Sequence, residues 1–103
     1  MKNTIPYNRH LIDNEDIAEV ARVLKSEFLT TGPEAGKFEK SISQYCGSKY
    51  AVVCSNGTAA LHLAMKAIKI TDKDYVITSA NTFVADSNAP LFEGGQVIFA
   101  DIE

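Results

Sequence analysis

Three short runs of β-branched and apolar residues constrain this chain more than any other feature: Tyr50-Ala51-Val52-Val53-Cys54, Tyr75-Val76-Ile77-Thr78 and Gln96-Val97-Ile98-Phe99-Ala100-Asp101. Each is too short for a helix and is bounded by turn residues, which suits a strand covered on both faces. Between them lie segments long enough for a helix. Ser55-Asn56-Gly57 turns the chain after the first run, and Thr58 is expected to cap a helix from Ala59 to about Ile70, with Leu61, Ala64, Met65 and Ile68 as its buried stripe. Thr82 to Phe92 reads as a further helix, weakened in its last turn by Pro90 and ended by Gly94-Gly95. Strand, helix, strand, helix, strand with right-handed crossovers predicts an α/β fold with three parallel strands. Such a sheet has two open edges and expects more sheet beside it.

Two helices are predicted ahead of this pattern. Ile12 to Lys25 carries Ile17, Val20, Ala21 and Leu24 at helical spacing, with Asp13 as its cap and acids in its first turn. A break at Phe28-Leu29-Thr30-Thr31-Gly32-Pro33 separates it from a second helix, Glu34 to Tyr45, which presents Phe38, Ile42 and Tyr45 on one face and has Gly47 as a left-handed cap. The expected organisation is a helical segment over 1–48 and an incomplete α/β domain over 49–103.

Charge narrows the function. The net charge is -3, from 10 basic and 13 acidic residues scattered without runs, so no basic stripe exists to bind nucleic acid. No segment approaches the ~20 apolar residues that cross a bilayer. The first residues lack a secretory h-region, which makes a cytoplasmic setting the expectation. Cys46 and Cys54 have neither CxxC nor metal-site spacing and read as small core hydrophobes. His10 and His62 are isolated, and no metal site is expected. His62 falls away from its helix's apolar stripe, in an exposed or rim position. Asp86 and Asp101 read as structural.

The most informative stretch is Ser55-Asn56-Gly57-Thr58-Ala59-Ala60, at the carboxyl end of the first run and the start of a helix. Open α/β sheets bind ligands there, and the first amides of the helix have no internal partners. Gly57 permits close backbone approach, and the hydroxyls of Ser55 and Thr58 add donors, so the turn suits a phosphate. It is neither the GxGxxG fingerprint nor a Walker A loop. An ordinary strand-to-helix turn accounts for the same residues. The second loop, Ser79-Ala80-Asn81-Thr82-Phe83, should open on the same sheet edge, where Phe83 either stacks on a flat ring or packs into the core.

Taken in order, several stretches together resemble the DegT/DnrJ/EryC1/StrS family of sugar aminotransferases. They are Ile5-Pro6-Tyr7, Leu29-Thr30-Thr31-Gly32-Pro33, Phe38-Glu39, Tyr50-Ala51-Val52, Ser55 to Leu61, Val76-Ile77-Thr78, Thr82-Phe83-Val84-Ala85 and Val97-Ile98-Phe99-Ala100-Asp101. The resemblance implies the amino-terminal part of a type I aminotransferase fold, with pyridoxal 5'-phosphate as cofactor. It implies that Gly57, Thr58 and Ala59 bind the cofactor phosphate and that Phe83 stacks on its ring. It also implies that Thr30, Thr31 and Gly32 lie near the nucleotide-sugar substrate, with Tyr7 approaching it. For a complete chain the resemblance implies a homodimer that takes its amino group from an amino-acid donor, glutamate. The opening residues and the Ser-Asn-Gly-Thr-Ala-Ala turn look most like enzymes that aminate a UDP-linked 4-keto-6-deoxy sugar on the way to pseudaminic acid.

Transamination needs a lysine to hold the cofactor covalently and move a proton, and in this family it lies beyond position 103. No lysine in the chain is expected at a strand's carboxyl end, so no catalytic residue is assigned and the chain alone is expected to be inactive. Two further readings remain: a sugar dehydratase of the same family, and a non-catalytic α/β module that binds a phosphorylated metabolite.

Overall fold

The computed structural model describes residues 5, 6 and 8–102. They form two compact units that divide between Lys49 and Tyr50.

The first unit holds two helices, α1 (Asn14–Leu24) and α2 (Pro33–Cys46). Asp13 starts α1 as expected: its Oδ1 accepts from the amides of Glu15 at 2.8 Å and Asp16 at 3.1 Å, and Asp16 Oδ2 accepts from the Asp13 amide at 3.0 Å. This reciprocal pair satisfies amides that the helix itself leaves open. Pro33 begins α2, where its missing N–H costs nothing. Gly47, at φ 65°, ends it, and the Ser48 amide reaches back to the Ser43 carbonyl at 2.9 Å. Arg22 joins the helices by pairing with Glu34 at 2.9 Å. The predicted apolar stripes exist but remain uncovered: Val20, Val23, Leu24, Leu29 and Phe38 line a groove of about 480 Å³.

The second unit contains α3 (Gly57–Ala67), β1 (Tyr75–Ser79), α4 (Ala85–Phe92) and β2 (Gln96–Ala100). β1 and β2 pair in parallel with Tyr75 opposite Gln96 and Ser79 opposite Ala100. The parallel sense agrees with expectation, but the sheet has two strands rather than three. Residues 50–54 take no ladder position. Apolar, β-branched composition favours an extended chain, yet a strand exists only through its neighbour, and Tyr50 and Val52 stay largely exposed. Three boundaries also differ from expectation: α3 begins at Gly57 with Asn56 as its cap rather than Thr58, ends at Ala67, and α4 begins at Ala85 rather than Thr82.

The core is the seam between α4 and the strands. Ala85 and Ala89, one turn apart on α4, are buried, and Pro90 beside them is fully enclosed. Pro90 sits inside the helix, which ends two residues later. Gly94, at φ 85°, then reverses the chain, and the Gly95 amide bonds the Pro90 carbonyl at 3.0 Å. A side chain at Gly95 would lie 2.6 Å from Ile70 Cγ2 and 3.2 Å from the Pro90 carbonyl oxygen, so only glycine fits there. Tyr75 and Ile77 of β1 and Ile98 of β2 remain exposed.

Candidate functional site

The site is built from chain direction. After α3 the chain reaches Ile70, which abuts Gly95, and Gln96 Nε2 donates to the Asp72 carbonyl at 3.1 Å. The ends of α3 and α4 therefore meet at the amino edge of the sheet. The two helices pack against each other. The loop from Ala80 to Val84 emerges at that same edge, with the Ala80 amide bonding the Ala100 carbonyl at 3.3 Å. Phe83 thus belongs to the loop at the carboxyl edge of the sheet, and the turn at Asn56-Gly57-Thr58 opens the helix that packs against α4.

Asn56 organises the turn. Its Oδ1 accepts from the Ala59 amide at 2.9 Å and its carbonyl accepts from the Ala60 amide at 3.1 Å. The same carbonyl accepts from Cys54 Sγ at 3.3 Å, and Asn56 Nδ2 donates to Ser55 Oγ at 3.3 Å. Of the four amides that open α3, two are consumed by one residue. The amides of Gly57 and Thr58 have no hydrogen-bond partner among the described residues. The Ala59 amide, expected among the phosphate donors, here donates to the Asn56 side chain, since an asparagine at the N-cap competes for that donor.

These donors fit a phosphate. Two adjacent amides stand at the positive end of α3, and the turn also carries the Thr58 hydroxyl and the Ser55 hydroxyl, whose proton is left over after it accepts from Asn56, a donor set whose chemistry suits a dianion. Gly57 adds a second argument. A side chain there would meet nothing within 4 Å, and the backbone is helical, so neither packing nor conformation demands glycine. Glycine in a helix costs about 1 kcal/mol relative to alanine. Its bareness leaves room for a group from outside.

Phe83 is 72% exposed, so it does not pack into the core. Thr82 Oγ1 donates to Asp86 Oδ2 in the first turn of α4, and the Asp86 amide donates to the Phe83 carbonyl at 3.0 Å, which ties down the loop on both sides of Val84. Thr30, Thr31 and Gly32 lie in the first unit, on the exposed loop before α2. Thr31 has φ 53°, a left-handed conformation that a β-branched side chain rarely adopts. A side chain at Gly32 would press on Phe28, lying 3.0 Å from its Cβ and 3.1 Å from its carbonyl oxygen. Tyr7 falls outside the described residues.

Sequence reading missed the polar link between α3 and α4. His62 Nε2 lies 2.6 Å from Glu93 Oε1, and Lys66 Nζ lies 3.5 Å from the same oxygen. His62 is at the rim, as expected, but it is partnered. The hydrogen bond from His62 and then the charge of Lys66 hold the Glu93 carboxyl below its ordinary range, against the opposing effect of burial. No group of His, Cys, Asp and Glu side chains suited to a metal occurs among the described residues, and no helix there is long and apolar enough to cross a membrane.

Comparison with known proteins extends this geometry. Residues 10–103 match the DegT/DnrJ/EryC1/StrS aminotransferase family. The chain is 41% identical over 99 residues to the UDP-4-amino-4,6-dideoxy-N-acetyl-beta-L-altrosamine transaminase of Campylobacter jejuni, covering 96% of this chain and 26% of that protein. Its fold is similar to Helicobacter pylori PseC, an aminotransferase of pseudaminic acid biosynthesis, with TM-score 0.85 and 32% identity over 95% of this chain and 27% of that one. It is similar also to the PLP form of a putative sugar aminotransferase, Spr1654, from Streptococcus pneumoniae, with TM-score 0.84 and 30% identity over 96% of this chain and 25% of the other. The chain thus spans about a quarter of the length of these relatives. The fold is the α/β portion of a type I aminotransferase, and pyridoxal phosphate is the cofactor of such proteins.

Proposed function

The chain belongs to the DegT/DnrJ/EryC1/StrS aminotransferase family, and from that premise we propose that its second unit holds the phosphate and one ring face of pyridoxal phosphate in a sugar aminotransferase. The observation that carries the reading is the pair of unbonded amides at Gly57 and Thr58, and the exposed Phe83 supports it. Bound pyridoxal phosphate supplies an electron sink for moving an amino group between an amino acid and a keto sugar.

The chain's own residues bind and orient. Gly57 and Thr58 receive the phosphate through their amides, and the Thr58 and Ser55 hydroxyls add two donors. Asn56 takes the amides of Ala59 and Ala60 and so fixes which donors remain. Phe83 lies against the ring and excludes water from one face, a contact of about 1 kcal/mol beyond area burial. Thr30, Thr31 and Gly32 form a loop for the nucleotide-linked sugar, and Tyr7 belongs with them. The substrate is a UDP-linked 4-keto-6-deoxy sugar, the donor is glutamate, the setting is cytoplasmic, and the complete enzyme is a homodimer. The 103-residue chain alone does not transaminate. The lysines of its second unit, Lys66, Lys69 and Lys73, all lie toward the amino edge, away from Gly57.

The test is a titration of the isotopically labelled chain with pyridoxal phosphate, followed through the backbone amide signals. Gly57 and Thr58 should shift furthest, and inorganic phosphate should move the same two more weakly. If the largest shifts fall elsewhere, or if pyridoxal without its phosphate produces the same pattern, the reading fails.

A further inference from the structure

α3 rests on α4 and on no other helix or strand among the described residues. That seam is therefore one determinant of where the Gly57 and Thr58 amides lie relative to Phe83. Its polar fastening is the bond between His62, in the middle of α3, and Glu93, immediately after α4. The His62 ring also stands edge-on to Phe92, with centroids 5.2 Å apart and planes at 61°, which orients Nε2 toward the carboxylate. The Glu93 side chain is only 19% exposed, so its oxygen is held rather than free in water.

We infer that His62 and Glu93 form a pH-responsive latch that keeps α3 alongside α4, and that His62 is thereby a positioning residue for the phosphate donors at Gly57 and Thr58. The inference deepens the cofactor reading, although the latch itself is observable without any cofactor. A helix moves as a rod. Releasing its middle from α4 lets its first turn drift relative to the loop that carries Phe83, and a shift near 1 Å is enough to spoil a positioned contact.

The charged groups facing the imidazole are Glu93, from the end of α4, and Lys66, one turn along its own helix; Phe92 is neutral. A neutral imidazole can donate one hydrogen bond from Nε2. A protonated one adds ionic attraction. Lys66 neutralises part of the Glu93 charge. Protonation of the imidazole therefore tightens the latch, and protonation of Glu93 releases it.

The experiment follows the amide signals of Gly57, Thr58 and Phe83 from pH 8.5 to 5.5 in the unliganded chain, alongside the His62 ring protons. All should move with the His62 midpoint in the wild type, and His62→Gln, which keeps a neutral bond, should abolish that response. Glu93→Gln should abolish it as well. Affinity for pyridoxal phosphate should rise about two- to fivefold more on acidification in the wild type than in either variant, the range expected of a partly exposed ion pair. Amides that stay fixed while His62 titrates would overturn the latch. So would a response that survives Glu93→Gln, since that marks direct sensing of the imidazole charge. A wild type that binds no pyridoxal phosphate, with amides still following His62, would end the cofactor reading and leave the latch standing.

Discussion

Asn56 Oδ1 accepts from the Ala59 amide at 2.9 Å, and this one bond separates the structural amides of α3 from the two left open for a ligand. The cap and the proposed phosphate site share a single helix turn, and each can be altered with little change to the other.

Replacing Asn56 distinguishes these roles. Asn56→Ala should lower stability by about 1 kcal/mol through loss of the cap. Asn56→Asp keeps an acceptor for Ala59, so thermal stability should hold, while the new negative charge beside Gly57 and Thr58 should weaken phosphate binding at least severalfold. Thermal melts and pyridoxal phosphate titrations on both variants give the comparison; equal binding by wild type and Asn56→Asp would remove the anion from the picture.

Gly57→Ala should separate stability from binding in the opposite sense. The added methyl meets nothing within 4 Å, so the fold should gain up to about 1 kcal/mol from better helix propensity. Affinity for pyridoxal phosphate should nonetheless fall. A variant that is more stable and binds equally well would mean that the bare backbone at 57 serves no ligand.

Lys69 ends α3 in the left-handed region at φ 61°, and the Ile70 amide reaches back to Met65 at 3.2 Å. This is a glycine position occupied by lysine. Lys69→Gly should raise stability by about 1 kcal/mol by relieving that conformation, and denaturant unfolding would register it as a higher midpoint with an unchanged slope.

Gly95→Ala should do the reverse. Its methyl would press on Ile70 and on the Pro90 carbonyl, with a cost of about 1–3 kcal/mol for overpacking. A midpoint equal to wild type would show that the α4 terminus can yield.

Acid should weaken the fold. Glu93 is held below its ordinary range first by His62, Glu34 first by Lys37 and then Arg22, Glu19 first by Arg22, and Asp74 first by the Thr71 side chain. Lowered folded-state values mean that the unfolded chain takes up protons first as pH falls. The stabilisation is complete above the unfolded carboxylate range of ~4 and is lost as pH drops through the folded values. Thermal midpoints measured downward from pH 5 should decline, with the steepest loss below about pH 4.

Local chemistry makes much of this architecture legible. Asp13 and Gly47 fix helix ends of the first unit through bonds to residues within five positions, so sequence alone locates them. The parallel pair Tyr75–Ser79 and Gln96–Ala100 is equally readable from composition and the helix between. Residues 50–54 show the limit, because a strand is a relation between segments and no composition supplies the neighbour. The cap of α3 is ambiguous in sequence because Asn56 and Thr58 are both good capping residues, and only backbone geometry decides between them. His62 and Glu93 are 31 positions apart, with no periodicity that joins them.

Ala89 has no exposed surface and Ala85 almost none, so the buried face of α4 meets its neighbours through methyl-sized side chains. Wedging anything larger beneath it would lift the whole rod, and the loop at its head would travel outward with it. In the proposed site, the room for a flat aromatic ligand beside Phe83 would therefore be set from the far side of the helix, by the smallest side chains in the unit. Selection for a wider or narrower opening could act on those alanines without touching a single residue that meets the ligand.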